Sequence, residues 1–213
     1  MEKLASIIAT GAKVAKIVKP YKNEDLIFAK LKEAEDLGAF AVGMDISFFY
    51  GGKRGDLINR ANIMGPKSIR QLESYIKATK LPFMMKGVLS RQDAEKSLEA
   101  GAAAVVVSSH SGSVLDYAVP PLKILPAIAE MAKGKTTVLV DGGIVRGSDV
   151  FKALALGADG VLIGRAVMAA LAFDGAAGVE KYINGVNDEL KRIMGLTGCR
   201  TLADITPDLV WGK

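Results

Sequence analysis

The sequence predicts an α/β fold in which parallel strands alternate with covering helices. Three observations lead there. Short β-branched apolar runs, such as residues 104–107 and 138–140, recur between stretches of helical periodicity. The strand–helix unit repeats at roughly 25 to 35 residues, the length of a β/α unit. Polar or glycine residues follow directly on the strand ends: Lys19, Asp45, Lys86, Ser108 with His110, Asp141, and Gly164 with Arg165. In parallel α/β folds those ends share one face, where sites are built.

The elements follow in order. Residues 1–12 have a helical pattern with Leu4, Ile7 and Ile8 on one face, and residues 14–18 read as a strand left by Lys19-Pro20-Tyr21. Asn23 is positioned to cap a helix through Leu26, Ile27, Leu31 and Ala34 that Gly38 ends. Residues 40–45 form the next strand, followed by a Gly/Lys/Arg loop and an irregular stretch to about Pro66. Ser68 caps a helix through Ile69, Leu72 and Ile76, and residues 82–85 form a strand ending at Lys86-Gly87. Ser90 caps a helix through Ala94 and Leu98 that Gly101 closes. Residues 104–107 and 138–140 are strands on either side of a helix over 121–131. Ser148 or Asp149 caps a helix through Phe151 and Leu156, and residues 161–163 form the sixth strand. The remainder is helical, with Val179, Ile183, Val186 and Leu190 in register. No linker divides these elements, so residues 1–213 are expected to form one domain.

Composition narrows the functional classes. Half of the 213 residues are apolar and the net charge is +5, with Lys and Arg spread along the chain. That balance suits a small anionic ligand, and nothing resembles a nucleic-acid motif. The single Cys199 rules out an internal disulfide and a cysteine-cluster metal site. No apolar run approaches the roughly 18 residues of a membrane span. The absence of a signal-like start makes the expected location cytoplasmic. Core packing accounts for Cys199 and the eight methionines, and Trp211 is expected to dock the tail.

The chemistry concentrates around Asp141-Gly142-Gly143-Ile144-Val145-Arg146-Gly147-Ser148-Asp149 and Gly164-Arg165. Paired glycine turns after neighbouring parallel strands bring free N–H groups together as a phosphate cradle. Arg165 adds a planar, permanently charged fork. In a β/α barrel such a cradle commonly follows the last two strands.

Three stretches together resemble the FMN-dependent 2-hydroxy acid oxidase/dehydrogenase family, which includes glycolate and lactate oxidases. They are Met85-Lys86-Gly87-Val88, Val107-Ser108-Ser109-His110-Ser111-Gly112-Ser113-Val114-Leu115-Asp116, and the long run from Asp141 to Ala158. The tail Met194-Gly195-Leu196-Thr197-Gly198-Cys199 matches as well. The resemblance implies a β/α (TIM-type) barrel with FMN at the carboxyl ends of its strands, here lacking the first two strands of the eight-stranded form. It implies His110 as the base acting on the substrate, Asp45 as the carboxylate that steadies His110, and Lys86 beside the flavin. It further implies that Ser108 bonds the flavin and Asp141 a ribityl hydroxyl. Gly142, Gly143, Arg146, Gly164 and Arg165 belong to its phosphate side, and His110 and Lys19 to the substrate side.

The sequence departs from that family pattern in three places. Ser113 stands where the family has a carboxylate-binding arginine, and Lys19, Lys53 or Arg54 could replace that charge. Val145 stands where the family usually has an arginine near the phosphate, with Arg146 one residue along and pointing elsewhere. Six strands would leave two open sheet edges, which invite a second copy or a partner chain. The expected activity is therefore oxidation of a small 2-hydroxy acid by an FMN enzyme. The alternatives are a catalytically impaired flavin- or phosphate-binding relative, and a different phosphate-binding β/α barrel such as an isomerase.

Overall fold

The computed structural model describes residues 2–47, 63–112 and 115–211. The expected α/β alternation is present. Six strands run β1 (Ala15–Val18), β2 (Ala41–Asp45), β3 (Phe83–Val88), β4 (Ala104–Val107), β5 (Thr137–Val140) and β6 (Gly160–Val161). They pair in sequence order, and every pairing is parallel. Between and after them lie α1 (Glu2–Ala9), α2 (Glu24–Asp36), α3 (Ile69–Lys77), α4 (Arg91–Glu99), α5 (Pro121–Ala132), α6 (Gly147–Ala155) and α7 (Arg165–Thr197). Among the described residues β1 and β6 are the free edges of the sheet.

Local sequence explains where the helices begin. Asn23 accepts from the Leu26 N–H, and Ser68 accepts from the Gln71 N–H while Gln71 reaches back to the Ser68 N–H. Ser90 caps α4 through the Asp93 N–H. Each such cap is worth about 1 kcal/mol. The start of α6 is capped by Asp149, which accepts from the Val145 and Arg146 N–H groups, so Ser148 is not needed there.

The core lies between the sheet and its helices. Val18, Val42, Met44, Phe83, Met85, Val105, Val107, Val138 and Val140 pack with Ile27, Leu31, Tyr75, Leu125 and Ile128. Burial of each large side chain contributes about 1.5–3 kcal/mol. Because β2 and β4 are buried along their whole length, they read as continuous apolar runs rather than alternating ones.

Five details differ from the sequence expectation. β3 extends through Lys86 and Gly87 to Val88, with a register shift between Lys86 and Val88. β6 is only two residues long; Leu162 still donates to the Val140 carbonyl before the chain turns at Gly164. α7 is broken at Asp174 and Gly175, and Ile183 on its expected apolar face is exposed while Val186 is buried. Trp211 does not dock the tail: its side chain is fully exposed. Cys199 is buried as expected, but Met168 is among the exposed apolar residues.

Candidate active site

Parallel pairing brings the carboxyl ends of all six strands to one face. Asp45 at the end of β2 is in register with Lys86 on β3, and Lys86 with Val106 on β4. Ser108 follows β4, Asp141 follows β5, and Gly164 with Arg165 follows β6 and opens α7. The side chains form two linked groups.

The first group handles protons. Asp45 is 1% exposed. Its Oδ2 is 2.8 Å from His110 Nε2 and 3.1 Å from Lys19 Nζ. Its Oδ1 accepts from the Ser47 N–H at 3.3 Å and the Ser47 hydroxyl at 3.1 Å. Burial alone would raise the Asp45 pKa. The hydrogen bond and charge of His110, joined by Lys19, outweigh burial and hold it at about 2. Asp45 is therefore a fixed anion at neutral pH. A carboxylate on one ring nitrogen fixes the orientation of an imidazole and favours its protonated form.

His110 and Ser111 have φ of 49° and 53°, the left-handed region that non-glycine residues rarely enter. Each such residue costs about 1–3 kcal/mol and persists only where its surroundings hold it. Here the His110 ring is tied to Asp45, and the His110 N–H donates to Ser108 Oγ at 3.3 Å. The Gly112 N–H closes the turn on the Ser109 carbonyl.

The second group is built around Lys86. Its Nζ lies 2.7 Å from Ser108 Oγ and 2.7 Å from Asp141 Oδ2. Ser108 is fully buried and joins the two groups, because its hydroxyl meets both Lys86 and the His110 N–H. The other Asp141 oxygen, Oδ1, is buried with no hydrogen-bond partner among the described residues. An unmet buried acceptor costs about 1–3 kcal/mol, which a ligand hydroxyl would recover.

Both groups open on one cleft of about 510 Å³, lined by Lys86, His110, Asp141, Gly142, Gly143, Val145, Gly164 and Arg165 among others. Gly142 and Gly143 each have φ of 92°, so two successive residues adopt a backbone that only glycine enters without strain. No atom lies within 4 Å of where a Gly143 Cβ would be, so its backbone faces open space. Gly164 offers no side chain to cap α7. Gly164, Arg165 and Ala166, at the start of α7, line the cleft, and a helix start beside an arginine is an arrangement that attracts an anion.

Most sequence-predicted residues converge here. Lys19 reaches the site through Asp45 rather than by lining the cleft. Arg146 is not brought in: it is exposed and borders a separate groove with Asp188, Glu189 and Arg192 of α7. Val145 lines the cleft where the departure from the family pattern places it. Ser113, Lys53 and Arg54 lie outside the described residues. Ser47, which touches both Asp45 and His110, carried no sequence signal beyond its place two residues past Asp45.

Comparison with known proteins identifies the family. Glycolate oxidase 3 from Oryza sativa subsp. indica is 36% identical over 220 residues, covering 87% of this chain and 60% of its own length. L-lactate oxidase from Roseobacter sp. (strain GAI101) is 47% identical over 141 residues, covering 66% of this chain and 38% of its own. A solved mandelate oxidase variant with a monooxide FMN adduct superposes with a TM-score of 0.87 at 36% identity. It spans 95% of this chain, which in turn spans 64% of it, so the six-stranded sheet corresponds to part of that β/α barrel. Residues 58–212 match the model of the FMN-dependent dehydrogenases, and the chain belongs to that family.

Proposed function

We propose that this chain provides the catalytic part of an FMN-dependent oxidoreductase that oxidises a small 2-hydroxy acid. The observation that carries the reading is that an anion cradle and a carboxylate-held imidazole open on the same cleft.

The residues fit FMN. Asp141 Oδ1 is a buried acceptor awaiting a hydroxyl, as the ribityl chain would offer. The Gly142–Gly143 turn, Gly164 and Arg165 suit its phosphate, and the cleft falls in the roughly 300–1,000 Å³ range of cofactor sites. Bound there, FMN supplies an acceptor for an electron pair. Lys86, held between Ser108 and Asp141, brings positive charge to the cleft, and Ser108 would share a hydrogen bond with the ring. His110 takes a proton from the substrate, and Asp45 stabilises the resulting imidazolium. Lys19 steadies Asp45 and adds positive charge on the side where an anionic substrate would lie.

The single-domain reading of residues 1–213, a cytoplasmic location, and a second copy or partner chain over the edges β1 and β6 belong to the same proposal. The open edges support the last of these. No described helix is long and apolar enough to cross a membrane.

The test is anaerobic mixing of the FMN-loaded chain with glycolate, lactate and mandelate, followed in the visible flavin band. Bleaching by at least one of them is expected. Bound flavin that stays oxidised across the panel would favour the flavin-binding relative without this catalysis.

A further inference from the structure

Ser47 lies two residues beyond β2 and outside every motif that the family resemblance used. Its hydroxyl donates to Asp45 Oδ1 at 3.1 Å and stands 3.1 Å from His110 Nδ1. Asp45 Oδ2 takes the other ring nitrogen, Nε2, at 2.8 Å. The imidazole is thus held on both nitrogens, by a charged partner on one side and a neutral hydroxyl on the other. The backbone makes room for this arrangement. Gly87 on β3 has φ of 93°, and a Cβ there would collide with the Ser47 side chain.

We propose that Ser47 is a positioning residue that partners His110 Nδ1 in both the neutral and the protonated ring. A hydroxyl has one donor and two acceptor positions and turns freely between them. When Nδ1 is bare, the Ser47 O–H turns to it, and Asp45 Oδ1 keeps the Ser47 N–H. When Nδ1 is protonated, it donates to Ser47 Oγ, and the hydroxyl turns to Asp45 Oδ1. The buried carboxylate and the ring stay hydrogen-bonded in both states, so neither state strands a polar atom. The charged groups around the ring are accommodated in the same way. Asp45 and Lys19 pair with each other on one side, and on the other Lys86 pairs directly with Asp141 while also meeting Ser108.

The kinetic arm of the test rests on His110 being the base; the spectroscopic arm needs neither flavin nor substrate. The chain has one histidine, so long-range proton–nitrogen correlation spectra report His110 alone. The wild type is compared with Ser47→Ala and Ser47→Thr with the imidazole neutral, and the amide spectrum confirms the fold of each. In Ser47→Ala the Nδ1 resonance is expected to move to the position of an unbonded nitrogen. Nε2, still held by Asp45, stays in place, and Ser47→Thr returns Nδ1 towards its wild-type position. After FMN loading, Ser47→Ala is expected to slow flavin reduction by about tenfold at unchanged FMN affinity. An Nδ1 resonance that does not respond to loss of the hydroxyl overturns the proposal. If Thr disturbs the fold, Ser47→Cys serves instead: its weakly donating thiol should leave Nδ1 between the Ala and wild-type positions, and a value at the Ala position counts against the proposal. Failure to bind flavin would defeat the proposed function while leaving the Nδ1 result to decide this one.

Discussion

The two sides of the cleft are built on opposite principles. On the β5–β6 side the binding groups are mostly backbone: two left-handed glycines, the uncapped start of α7, and an Asp141 oxygen without a partner among the described residues. On the β1–β2–β4 side they are side chains already satisfied by one another: Lys19, Asp45, Ser47 and His110. One side is incomplete without a ligand, and the other is complete without one. A cradle of that kind gains its hydrogen bonds on binding. A closed network instead fixes the orientation and charge of its members before anything binds, which is what an acid–base group needs.

Substitutions on each side should therefore separate binding from chemistry. The largest effect is expected from His110→Gln. Loss of a positioned base should slow flavin reduction by about 10²- to 10⁴-fold in anaerobic stopped flow, with FMN affinity little changed. Arg165→Ala should do the converse. Loss of a charge-assisted hydrogen bond, worth about 1.5–3 kcal/mol, should weaken FMN binding by about 10- to 100-fold in a fluorescence titration and leave the reduction rate at saturating FMN nearly intact. Loss of affinity in the first variant and not the second would break the division.

Asp45→Asn tests the closed network without any ligand. The folded Asp45 titrates near 2, below its ordinary 3.8. It therefore stabilises the fold above about pH 4, by about 2 kcal/mol, and this contribution is lost as pH falls through about 2. Denaturant unfolding should show the wild type ahead of the variant at pH 6 and the gap closing towards pH 2. The smallest effect is expected from Val145→Arg. Val145 is exposed at the cleft, and an added guanidinium should tighten FMN binding by a few-fold at low ionic strength, and less in high salt.

The two sides also differed in how legible they were in the sequence. The cradle could be read directly, because a backbone-built site depends on glycines, and Gly142, Gly143 and Gly164 stand out in the chain. The strands were equally plain, since the buried runs in β2 and β4 admit little but apolar residues. The residues of the closed network were only partly visible. His110 and Asp45 stood out through the family resemblance. Ser47 did not, because its role comes from a contact spanning 63 residues of sequence and from the approach that Gly87 permits. The left-handed backbone at His110 was hidden for a related reason: tertiary hydrogen bonds hold it there against local preference. Trp211 shows the opposite error, in which an aromatic side chain suggested packing that the fold does not provide.

The most direct test of the account is retention of FMN. The chain would be incubated with excess FMN, passed through gel filtration, and its visible spectrum recorded across the protein peak. The account predicts a flavin band that elutes with the folded protein at about one FMN per chain. A folded protein that elutes colourless would contradict it.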